Sequence, residues 1–255
     1  MASARYPARV TKTHLFNLSV PIFLSNIAIP LVGLVDTALM GHLGNVQFLA
    51  ATSIATSVIT MVFWSFGFLR MGTTGLVAQS LGKGDYREIV LIVFRNLSVA
   101  LFISMILITL QNPILELINN FFKPSINTQL LIKKYISVRI WSAPAELAMY
   151  VLVGFYLGLQ KTKITSFLIS FYSIMNIILS YYLVVDLQLN IYGVALGTVL
   201  SAYLTIVIFL LFTFFYIKNK FNIIPRYRKI LITKKLIELF NINFDIFIRT
   251  ILLTF

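Results

Sequence analysis

The run LVGLVDTALMGHLG, residues 31–44, places one carboxylate, Asp36, inside an apolar stretch that begins near Leu15. No Lys or Arg stands within it to neutralise the charge. A charged side chain at membrane depth is costly and usually faces a bundle interior or a water-filled cavity. Residues 15–40 exceed the ~20 residues that cross a hydrocarbon core as a helix. The stretch therefore reads as a membrane span with a charge on board, and the rest of the chain repeats its pattern.

Of the 255 residues, 59% are hydrophobic and only 11% charged. A soluble domain carries roughly 25% charged residues, and here the apolar residues come in blocks rather than at one-face spacing. Six long blocks run over about 15–40, 47–69, 90–115, 131–158, 164–186 and 191–217. Backbone groups in lipid must pair internally, and these blocks are too long for barrel strands, so helices are expected. The fold class that follows is all-α: a polytopic bundle of six transmembrane helices, plus the start of a seventh.

The net charge of +13 does not point to nucleic acid. The basic residues sit in short segments between blocks, where they meet lipid phosphates and set topology. Arg5, Arg9 and Lys12 precede the first block; Arg70, Lys83, Arg87 and Arg95 follow the second; Lys161 and Lys163 follow the fourth. Seven more, from Lys218 to Lys235, follow the sixth. Links 41–46 and 187–190 have no Lys or Arg. The positive-inside rule places the N-terminus in the cytoplasm. Lys123, Lys133 and Lys134 depart from it, and Arg139 is expected to snorkel outward. The first block is too long for a cleavable signal and reads as an uncleaved anchor.

Residues 236–255, LIELFNINFDIFIRTILLTF, begin a further apolar stretch. LFNLSVPIF at 15–23 and LFNINFDIF at 239–247 agree at five of nine positions. A second copy of the unit, in the same orientation, is one account of this match, and chance in an apolar chain is the other. The expected organisation is a six-helix lobe over 1–218, a basic cytoplasmic linker over 219–235, and the start of a second lobe over 236–255.

Asp36 either faces an ion or proton pathway or reaches headgroup water from near the interface. Pro21 and Pro30 each remove a backbone donor from the same helix and can bend it. In the fifth block, FYSIMNIILS puts Asn176 and Ser180 one turn apart, with Tyr172 and Ser173 extending that face. In the sixth, Gly193, Gly197 and Ser201 form a small-residue stripe suited to close helix packing, with Thr198 beside it. Asp36, Asn176 and Thr198 would together supply hard oxygen ligands for Na⁺ or a hydrogen-bonded proton site. Glu146, near the middle of the fourth block, has two readings. It is a protonated acid bonded to a carbonyl freed by Pro144, or a second functional carboxyl.

Several functions are disfavoured. The absence of Cys removes disulfides, thiolate metal sites and thiol catalysis. The glycines of GLVAQSLGKGDYREI, 75–89, lack the spacing and Lys-Ser/Thr of a phosphate loop and read as a cytoplasmic turn. No nucleophile–base pair or metal cluster stands out, so neither an enzyme nor a cofactor is expected.

VDTALMGHLG, FGFLRMGTTGLVAQSLGKGD, RIWSAPAE with GFYLGLQKTK, and Asn176 followed by GVALGTVLS occur in that order. Together they resemble the multidrug and toxic compound extrusion (MATE) transporters, in the branch of the DNA-damage-inducible protein F, over essentially the whole chain. The resemblance implies one lobe of a two-lobe, twelve-span antiporter in the bacterial plasma membrane. Such proteins exchange H⁺ or Na⁺ for organic, often cationic, compounds by rocking the lobes. It assigns cation coupling to Asp36, Asn176 and Thr198, and the bending role to Pro21. Ser180 stands where many relatives carry an acid, which puts a two-carboxylate site in doubt unless Glu146 supplies the second group.

The implied partners are membrane lipid, small organic cations, and a second lobe or second copy of the chain. A lipid-linked oligosaccharide flippase is one rival, but it needs several cations inside the cavity, and the candidates are chiefly Arg139 and Arg249. A lobe without transport activity is another, and a homodimer of lobes a third.

Overall fold

The computed structural model describes residues 12–222 of the chain, apart from the side chains of several residues before Leu31. The expected linker from 223 onward and the expected seventh span lie outside the described residues. Nine α-helices are found among them: α1 (Lys12–His42), α2 (Val46–Ser65), α3 (Phe68–Gly82), α4 (Tyr86–Thr109), α5 (Gln111–Phe122), α6 (Ile126–Arg139), α7 (Ala143–Gly158), α8 (Thr162–Tyr181) and α9 (Asn190–Phe221). There is no strand among the described residues.

Every apolar block but the third lies on one helical segment. Five segments, Val46–Gly82, Tyr86–Thr109, Ile126–Gly158, Thr162–Asp186 and Asn190–Phe221, are long and apolar enough to cross a membrane. α1, with 31 residues, rises about 46 Å at 1.5 Å per residue and is long enough too. It stays helical through Pro21 and Pro30.

The starts and stops follow local chemistry. Asn45 caps α2 by accepting from the Gln47 N–H at 2.9 Å, and Asp85 caps α4 by accepting from the Glu88 N–H at 2.9 Å. Gly44 and Gly84 hold positive φ in the turns just before, which costs glycine nothing. The last turn of α9 ends at Asn222 in the left-handed conformation.

Four expectations about continuity need correction. The second block is not one helix: it breaks at Phe66–Gly67 between α2 and α3. The fourth breaks at a 3₁₀ turn, Ile140–Ser142, with Pro144 in the first turn of α7, where its missing N–H does least harm. The 75–89 segment is mostly helix, and only Lys83–Asp85 forms the turn. The third block ends as a span at Thr109, and its last residues belong to the short connecting helix α5.

α1 packs on α8, α2 on α6, α3 on α7, and α9 on both α8 and α6. The closest approaches are made by glycine. A Cβ on Gly158 would sit 2.8 Å from the Thr74 carbonyl oxygen, and one on Gly197 would sit 2.9 Å from the Ser180 Cα. One apolar core joins α2, α3, α4, α6 and α7; a second lies among α7, α8 and α9. Polar side chains are buried along the α1–α8–α9 seam.

Candidate functional site

The α1–α8 contact sets Asp36 against α8. Its side chain is 7% exposed, and Oδ1 has no hydrogen-bond partner in the protein. The Ser180 hydroxyl faces the carboxyl, its single proton serving either Asp36 or Asn176 and not both at once, and the Arg139 guanidinium lies within electrostatic reach. Asn176 and Ser180 are fully buried. Ser180 Oγ donates a long bond of 3.5 Å to Asn176 Oδ1, and Asn176 Nδ2 donates to Ser201 Oγ at 3.4 Å. Ser201 in turn donates to the Thr198 carbonyl at 2.9 Å. The Thr198 hydroxyl donates to the Val194 carbonyl at 3.1 Å, which leaves its oxygen lone pairs free to accept.

Asp36, Ser180, Asn176 and Ser201 thus form one chain of polar contacts, with Thr198 attached through its backbone. The small residues of α9 make it compact: Gly197 lies against Ser180 and Gly193 against Leu183. Several of these contacts are long for hydrogen bonds, and an unpaired carboxylate oxygen sits at one end. Such an arrangement has hard oxygen donors to offer and one negative charge to balance.

Glu146 departs from the first of its two readings, the acid bonded to a freed carbonyl. Its Oε1 is 2.7 Å from Arg139 Nη1, a buried ion pair, rather than bonded to a carbonyl near Pro144. Tyr172 also donates to Glu146, at 3.5 Å. Arg139 does not snorkel. It points inward, bonds Ser142 and lies over the Phe63 ring, 5.3 Å from its centroid. The physical reason is that the pair satisfies both charges inside the bundle, where each alone would be expensive. Tyr135, fully buried and bonded to Thr56 at 3.0 Å, also feels the charges of Arg139 and Asp36.

Arg139 and Tyr135 are what the sequence reading missed. A signal was present: residues 139 and 146 are seven apart, two helical turns, and so share a face. Among the secondary candidates, Ser180 and Tyr172 lie in the polar clusters, whereas Pro21 is half-buried in α1 away from them in sequence. The side chain of Pro30 lies outside the described residues, as does Arg249. Among the described residues no group of three or more His, Cys, Asp or Glu could hold a metal ion.

An all-helical, multi-pass bundle with a buried polar seam defines the class: an integral membrane protein. The match to the MatE family model over residues 21–182 then places it, and the chain belongs to that family. It is 36% identical over 197 residues to the DNA damage-inducible protein F of Escherichia coli (strain K12), covering 77% of this chain and 43% of that protein. It is 22% identical over 240 residues to the multidrug export protein MepA of Staphylococcus saprophyticus, covering 94% of this chain and 52% of that one. Among solved structures, a multidrug resistance MATE family transporter in the outward-facing conformation superposes with a TM-score of 0.77 at 19% identity, over 87% of this chain and 49% of that one. A MOP superfamily transporter from Pyrococcus furiosus gives 0.81 at 17% identity, over 92% and 51%. The chain spans about half the length of the relatives it matches, and these are transport proteins rather than enzymes.

Proposed function

We propose that this chain is the N-terminal lobe of a cation-coupled antiporter that exports small organic cations. Its lobe spans residues 1–218, followed by a basic linker over 219–235 and the start of a second lobe over 236–255. In this proposal the N-terminus is cytoplasmic, the membrane is the bacterial plasma membrane, and a second lobe or second copy completes the exporter. The observation that carries it is the Asp36 carboxyl: buried, with one oxygen unpartnered in the protein, at the end of a chain of neutral oxygen donors.

The carboxylate attracts a cation because its charge is poorly balanced where it sits. H⁺ or Na⁺ bound there, with Asn176 and Thr198 as oxygen ligands, neutralises it. Loss of that ion changes what Asp36 needs from α8. Because α1 and α8 are packed together, occupancy at Asp36 biases the arrangement of two spans, which is the differential interaction a two-state exchanger requires. An organic cation competes for the same charge. The flippase alternative is weakened, because the two arginines buried among the described residues, Arg95 and Arg139, are already paired with Glu88 and Glu146.

Asp36→Asn keeps the shape and removes the charge. Expressed in drug-sensitive cells with the whole transporter assembled, it is expected to insert normally and to lose export. Undiminished efflux by the variant overturns the proposal.

A further inference from the structure

Helical Ser and Thr residues in lipid usually donate to a carbonyl one turn back. Thr198 bonds Val194, Ser201 bonds Thr198 and Thr213 bonds Phe209 in this way. Four buried hydroxyls among the described residues do not, those of Thr52, Thr165, Ser173 and Thr205, and the last two continue the polar seam. Ser173, 2% exposed, and Thr205, fully buried, have no hydrogen-bond partner in the protein. A buried hydroxyl without a partner is a standing cost, and two on facing helices are hard to attribute to separate accidents.

The register of α8 against α9, continued by one step, sets them opposite each other and outside hydrogen-bond distance. Leu183 meets Gly193 and Ser180 meets Gly197, and Asn176 meets Ser201. Each step of three or four residues back along α8 is matched by four forward along α9. The next step sets Ser173 opposite Thr205. Beyond them the seam turns apolar: Leu168 and Ile169 of α8 pack with Ile206 and Phe209 of α9, and the Phe209 ring lies 6.0 Å from that of Phe167. The hydroxyl pair is therefore the inner end of the polar seam, one turn further from Asp36 than Asn176, above an apolar plug.

We propose that Ser173 and Thr205 form a subsite for a small hard ligand, water or a monovalent cation, on its way to or from Asp36. Resting on the reading of Asp36 as the cation site, this extends that site towards the Thr162 end of α8 and ends it at the Leu168–Ile169–Phe209 plug. Hydroxyl oxygens suit either ligand, since both are bound by hard oxygen donors.

The chain has no cysteine, so Ser173→Cys, Thr205→Cys and the control Ala202→Cys each create a unique thiol. Ala202 is fully buried and three residues from Thr205, which matches depth without a hydroxyl. The full chain, in lipid nanodiscs, is exposed to Ag⁺, then unfolded, and the remaining thiol is counted with a maleimide. Thiols at 173 and 205 are expected to be blocked at least an order of magnitude faster than the one at 202. Slowing by Na⁺ in place of choline identifies a cation subsite, and indifference to Na⁺ identifies a water subsite; either upholds the proposal. Equal rates at all three positions overturn it. Should Thr205→Cys fail to fold, Ser173→Cys against Leu168→Cys repeats the comparison on α8. Asp36→Asn is run alongside in the export assay. If it exports normally, the Asp36 reading fails whatever the silver rates are; if the rates are equal, the subsite fails whatever Asp36 does.

Discussion

At the scale of single residues, the decisive group after Asp36 is Arg139. It balances Glu146 at 2.7 Å and places a positive charge near Asp36. Two buried acids therefore share one buried base. Removing one partner of such a pair is expected to cost more than removing both. Arg139→Ala strands Glu146 and should lower stability by roughly 3–5 kcal/mol, whereas Arg139→Met with Glu146→Leu should remain close to wild type. Thermal unfolding of the purified chain in detergent separates the two, and a single variant no worse than the double would remove the ion pair from the account. Asp36 was legible because a lone charge in an apolar run is conspicuous. Arg139 was not, because an arginine in the same block as Lys133 and Lys134 reads as topology. Its role depends on a partner two turns away across a 3₁₀ break, and on a phenylalanine from α2.

At the scale of elements, six helical spans follow from the length and apolarity of the blocks, and the structure has five long apolar segments, with α1 a sixth by its length. Apolarity says nothing about continuity, however. The breaks at Phe66–Gly67 and Ile140–Ser142 follow from backbone bonding, and composition averages over them; only Pro144 hinted at one. The pairing of helices was legible in part through small residues. Gly158 and Gly197 let backbones approach so closely that a methyl group has no room. Gly158→Ala and Gly197→Ala should each destabilise the bundle by roughly 1–3 kcal/mol through overpacking. Gly75→Ala meets nothing within 4 Å and should be neutral or stabilising by up to ~1 kcal/mol, the usual helix preference for alanine. Melting temperatures of the three variants, measured side by side, check the sign. A destabilised Gly75→Ala with an unaffected Gly158→Ala would contradict the packing described.

At the scale of the whole molecule, the question is what one lobe can do. Every side chain assigned to the cation site, Asp36, Asn176, Thr198 and their neighbours Ser180 and Ser201, comes from residues 12–222. Export is a different matter, because alternating access needs a second body for the lobe to move against, and the chain spans about half of its relatives. Cation binding and transport should therefore separate. The 255-residue chain on its own is expected to be stabilised by its coupling ion, by RT ln(1 + [L]/Kd), about 2.7 kcal/mol at a hundredfold excess over Kd. Melting in nanodiscs against NaCl, with choline chloride as the ionic-strength control, reads this for Na⁺; melting at stepped pH with Na⁺ absent reads it for H⁺. Asp36→Asn should abolish whichever response the wild type gives, while Asp186→Asn, outside the polar seam, should leave it intact. Stabilisation that survives Asp36→Asn would move the site elsewhere. A lobe that binds its ion but exports nothing until a second lobe is supplied would fix the division of labour: the ion site is complete within six spans, and the exit for the drug is made between two lobes.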